Sequence, residues 1–104
     1  MPVRFWPALP KIMNAIQETL DILQEECAEV IVEVSKCRRF GLDSEHYKTH
    51  LPHRAMLTQE IGDVLAMVDI LIEKGVIDGE EIATAMVLKR EKLKEWSTIF
   101  SNDD

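Results

Sequence analysis

From Lys11 to Phe40 the chain holds neither proline nor glycine, and most of its helix-breaking residues stand at the edges of long stretches. Proline suits the first turn of a helix, where its missing amide would be unpaired anyway, and glycine is favoured just past the end. Pro10 therefore opens a first helix running to about Arg39, with Gly41 as the stop. Arg38 and Arg39 fall in its last turn, where cations meet the negative end of the helix dipole. Pro52 opens a second helix that ends near Lys74-Gly75. Asp78 with Glu81 three positions on forms a capping box for a third, which continues to about Trp96. No segment alternates apolar and polar residues over a useful length, so strands find no support. The expected fold is all-α, with three main helices, a loop from Gly41 to Leu51 and then a tight turn.

At 104 residues this is one domain over 1–104, with a core at about 10–97 and a frayed tail over 98–104. Hydrophobic residues at 46% and charged residues at 30% match an ordinary globular protein. No apolar run approaches the roughly 18 residues of a bilayer span. The start, Met1 to Pro7, carries Arg4, Pro2 and Pro7 and does not look like a signal peptide. A net charge of −7 argues against capture of nucleic acid, which needs a basic face. Cys27 and Cys37 form no C-x-x-C pair and read as free thiols in a reducing cytoplasm. The expectation is a cytoplasmic protein bound neither to membrane nor to nucleic acid.

Advancing about 100° per residue along a helix assigns each side chain a face. In the first helix Ile16, Leu20, Leu23, Cys27, Val30, Ile31 and Val34, with Ile12 and Met13, form an apolar stripe. Glu25, Glu26, Glu29, Glu33 and Lys36 take the opposite side. Such a row is ordinarily a solvated face, yet Ile22 and Val32 share it, so that side meets something apolar as well. The second helix is apolar almost all round, and such helices are buried. Glu60 and Asp63 nevertheless share a face with Met56, Met67, Ile70 and Leu71.

An unpaired buried carboxylate costs several kcal/mol, so it is paired, neutralised or bound to metal. If Glu60 and Asp63 face Glu26 and Glu29, four acids converge and repel unless cations share the site. Magnesium suits all-oxygen ligands and leaves positions open for water and phosphate. The alternative is that each acid pairs with a lysine or arginine of another helix.

Glu25-Glu26-Cys27-Ala28-Glu29 is an E-E-x-x-E motif, and Glu60-Ile61-Gly62-Asp63 is the E-x-x-D that follows on the next helix. In that order, with Ser35 to Gly41 after the first motif and Val64 to Val68 after the second, they resemble the MazG-type nucleoside triphosphate pyrophosphohydrolases. The resemblance spans roughly Asn14 to Trp96. It implies hydrolysis of a (d)NTP to (d)NMP and pyrophosphate, with magnesium as cofactor and manganese able to substitute. Glu26, Glu29, Glu60 and Asp63 become the metal ligands, and Glu25 the base for the attacking water or a group behind the ligands. By the same analogy Lys89 and Lys92 bind the phosphates, with Lys36 and Arg39 as further substrate-binding candidates. Thirty residues lie between Glu29 and Glu60, long for the family, and the excess falls in the Gly41–Leu51 loop. That loop bears on substrate preference.

His46, His50 and His53 invite a zinc reading, but Pro52 restricts Leu51 away from helix, and polar loop histidines are the expectation. Carboxylate-bridged di-iron bundles need E-x-x-H, which is absent. A second helix apolar all round asks for a homodimer or homotetramer that completes the bundle. Two rivals stand beside the main reading. One is a narrower relative acting on dUTP, dCTP or phosphoribosyl-ATP. The other is a non-catalytic acidic helical interaction protein, in which the acids need not converge.

Overall fold

A computed structural model of the chain describes residues 11–101, the side chains of 11–13 excepted. Pro10 and the tail beyond Ser101 lie outside the described residues. Three helices follow in order: α1 (Lys11–Phe40), α2 (His53–Glu73) and α3 (Gly79–Trp96). Their ends are where the punctuating residues put them. Gly41 leaves α1 at φ 98° and Gly75 follows α2 at φ 73°, both in the left-handed region that favours glycine. Pro52 holds the extended conformation that precedes α2. Asp78 caps α3, its Oδ1 accepting from the amides of Glu80 at 2.8 Å and Glu81 at 3.0 Å.

The loop between α1 and α2 is tied down by its own backbone. The His46 amide donates to the Leu51 carbonyl at 2.8 Å, the His53 amide to Ser44 at 3.0 Å and the Arg54 amide to Leu42 at 2.8 Å. The Arg54 guanidinium grips Asp43 through two bonds, at 3.0 and 3.2 Å. This fork holds the Asp43 carboxyl below the usual aspartate range. His53, expected in the loop, instead begins α2, is buried and stacks on Phe40. Pro52 starts the helix one residue earlier than a loop histidine would require.

Phe40 meets His53 at one end of the hairpin and Glu26 meets Asp63 further along, so α1 and α2 run antiparallel. Their packing is the main tertiary contact among the described residues; α3 packs along neither. The result is open: the radius of gyration is 17.2 Å, against about 13 Å for a compact chain of this length.

The mixed side of α1, where Ile22 and Val32 accompany the acids, is the side that meets α2. The buried positions of α1 are Thr19, Glu33 and Cys37, on the side that carries Glu26 and Glu29. Part of the apolar stripe is left open, with Ile31 70% exposed and Leu20, Cys27 and Val34 exposed, while Ile16, Leu23 and Val30 are half-buried. On α2, Leu71 is buried, but Ile61 and Leu65 are exposed. No residue of α3 is buried, and Met86, Val87, Leu88 and Trp96 lie open. Apolar surface of this extent marks a place where a folded protein meets something else.

Candidate functional site

Because α1 presents its acidic side to α2, carboxylates from the two helices meet. Glu26 of α1 and Glu60 and Asp63 of α2 each place one oxygen within 4.8 Å of the others. On α2 the three-residue step from Glu60 to Asp63 keeps both on one face. Glu29, one turn along from Glu26, is outside this trio; it is half-buried, and its charge acts on both Glu26 and Glu60. Glu25 is half-buried next to Glu26 and adds to the repulsion there.

The electrostatics are one-sided. Burial holds the Glu26 carboxyl above the ordinary glutamate range, and Asp63, by charge and by hydrogen bond, pushes it further, followed by Glu29 and Glu25. Burial likewise raises Glu60, reinforced by the charges of Asp63, Glu26, Glu29 and Glu33. No lysine or arginine is among the groups acting on either. The side-chain ion pairs of the described residues lie elsewhere: Lys36 with Glu33, Arg54 with Asp43, Lys94 with Glu91, and His50 with Glu45. Acids held this close by a packed hairpin, with no basic side chain of the described residues between them, could serve as a donor set for a hard divalent cation.

The expected phosphate-binding cations are not gathered here by one chain. Lys36 is committed to Glu33, its Nζ 3.5 Å from Oε2. The Arg39 guanidinium lies over the Phe40 ring at 5.1 Å. Lys89 and Lys92 are exposed on α3, which packs along neither acid-bearing helix.

Two residues near the site escaped the sequence reading. Glu33 is only 4% exposed, its Oε1 buried without a hydrogen-bond partner, and its charge reaches Glu60. It passed for one more surface acid, although its seven-residue step from Glu26 returns it to the same face. His53 is the other, buried two turns before Glu60.

A family model of the MazG nucleotide pyrophosphohydrolase domain matches residues 14–97. No curated protein and no solved structure matched the chain. The family match begins in the first turn of α1 and runs through the end of α3, taking in both acidic motifs, so the chain belongs to the MazG nucleotide pyrophosphohydrolase family.

Proposed function

We propose that this protein is a magnesium-dependent pyrophosphohydrolase that splits (d)NTP with water into (d)NMP and pyrophosphate. The observation that carries this reading is the convergence of Glu26, Glu60 and Asp63 with no cation among the described residues between them. Membership in a nucleotide pyrophosphohydrolase family supports the reaction class. A non-catalytic acidic interaction protein has no reason to aim carboxylates at one another across a helix pair.

In this reading Glu26, Glu29, Glu60 and Asp63 hold magnesium, or manganese in its place. Such ions supply charge neutralisation for phosphate oxygens and make bound water more acidic. Glu25 accepts the proton of the water that attacks the α-phosphorus, and Glu33, buried on the same face of α1, adds its negative charge to the site. Lys89 and Lys92 hold the β and γ phosphates, a role suited to the compact charge of an ammonium. Lys36 and Arg39 lie nearer the loop, flanking the nucleoside. No covalent intermediate is required.

Because α3 stands off its own hairpin, Lys89 and Lys92 reach an acid cluster only in an assembly. The outward apolar stripe of α1 and the bare faces of α2 and α3 support a homodimer or homotetramer. Light scattering should give at least twice the 11.9 kDa chain mass. Ile31→Glu, on the outward stripe, should reduce it to a single chain. A wild-type monomer at micromolar concentration would refute the assembly.

The activity itself is tested with a panel of nucleoside triphosphates in magnesium, read as pyrophosphate release. Turnover should vanish with a chelator. Orthophosphate as the product, or no turnover of any nucleotide, would overturn the reading. Preference for dUTP, dCTP or phosphoribosyl-ATP on the same panel would identify a narrower relative. The negative net charge supports a small-molecule substrate over nucleic acid. Among the described residues no helix is long and apolar enough to cross a membrane, in keeping with a cytoplasmic site of action.

A further inference from the structure

On the loop side of the acids lies a pocket of about 770 Å³ whose walls include Lys36, Phe40, His46, Tyr47 and His53. It is built from rings. His53 stacks on Phe40 with centroids 5.6 Å apart, His46 meets His53 edge-on at 6.0 Å, and His46 stacks on Tyr47 at 5.0 Å. His53 is only 4% exposed, and its Nδ1 is buried without a hydrogen-bond partner. Burying a polar ring this far without satisfying it is costly and serves no purpose in the hairpin alone. The pocket wall is also held in place, since the backbone bonds of His46, His53 and Arg54 and the Arg54–Asp43 fork fix the loop.

Its position relative to the acids follows from helix geometry. Lys36 is seven residues after Glu29 on α1, and His53 is seven residues before Glu60 on α2. Seven residues are nearly two turns, so both return to the acid-bearing face, about 10 Å along the axis. In an antiparallel hairpin the two offsets point the same way. That separation matches the reach of a nucleotide from its α-phosphorus to its base.

The geometry points to this pocket as the seat of the substrate's nucleobase, an aromatic heterocycle received among Phe40, His46, Tyr47 and His53 while its phosphates lie at the acids. The inference rests on the triphosphate-hydrolase reading and extends it to the part of the substrate that distinguishes one nucleotide from another. The wall carries Lys36 and Lys48 beside Glu45, and Lys36 is paired with Glu33, so its charge is mixed and the rings set what it receives. Arg39 over Phe40 and Lys48 over Tyr47 at 5.5 Å are side-chain ends free to swing aside as a base enters.

The test titrates the protein with nucleoside monophosphates and with ribose 5-phosphate, which lacks a base, while the imidazole resonances of His46 and His53 are followed by NMR. The monophosphates should shift those resonances and ribose 5-phosphate should not. Tyr47→Ala, at an exposed position that leaves folding intact, and Phe40→Ala should each weaken this binding about tenfold, the usual effect of losing one stacking partner. KM for the triphosphate should rise to match, with kcat falling less. Silent imidazoles in a protein that hydrolyses triphosphates would place the base elsewhere and leave the hydrolase reading standing. Responsive imidazoles in a protein that turns over no nucleotide would keep the pocket and discard the hydrolase.

Discussion

Glu60→Gln and Asp63→Asn should each cut pyrophosphate release by roughly a hundred- to a thousandfold, a loss typical of removing one group that stabilises developing charge. The same variants should resist unfolding better than the wild type when no divalent metal is present. The two effects have opposite signs because the acids are brought together against their own electrostatics. Burial and the charge of its neighbours already hold Glu60 above its ordinary range, and Asp63 contributes to the same displacement at Glu26. Neutralising either α2 acid removes repulsion from the folded state while removing an oxygen donor from the site. Chemical denaturation in EDTA, run beside the pyrophosphate assay, separates the two. A variant that loses stability without metal, or keeps full turnover, would mean that these acids hold the hairpin together and do no chemistry.

Magnesium and pH should act on stability in a coupled way. Folded Glu26 and Glu60 bind protons more tightly than in the unfolded chain, where glutamate titrates near 4.5. Below that value both states are protonated and the two residues cost nothing. As pH rises from there, the unfolded chain releases its protons first, so the metal-free protein loses stability up to the raised folded values and stays lower above them. At pH 7 magnesium at a hundred times its dissociation constant should restore about 2.7 kcal/mol. For a domain of this size that corresponds to a rise in Tm of roughly 10–20 °C. Near pH 4.5 the gain should nearly disappear, because protons occupy the same oxygens. Melting curves with and without magnesium at the two pH values decide the matter. Insensitivity to magnesium at pH 7 would remove the metal from the account.

The helix limits were readable because they are set locally. Gly41, Pro52, Gly75 and Asp78 each act through their own backbone or a neighbouring amide. Both acidic motifs were readable for a related reason, since spacing on a helix fixes direction. What the pattern on α1 did not settle was how much of its apolar stripe the chain itself covers. A stripe such as Leu20, Cys27, Ile31 and Val34 faces a core when a chain makes its own, and here that side is left open. Glu33 was read only as one of the acidic row, because it lies outside both acidic motifs. His53 was misplaced by a single residue of helix start, which changed a solvated loop side chain into a buried ring. The phosphate-binding lysines illustrate a different limit: Lys89 and Lys92 sit in an expected register, but one chain does not carry α3 to the acids.

The fastenings of the Gly41–Pro52 loop combine main-chain bonds with side-chain ties from Asp43, Ser44, His46 and Thr49. Glu45, Tyr47 and Lys48 hang from this frame with their side chains in the open. A lineage could exchange them freely, as one changes the wards of a lock without recasting its case. Selectivity would then drift among nucleotides by small steps while the acids stayed untouched.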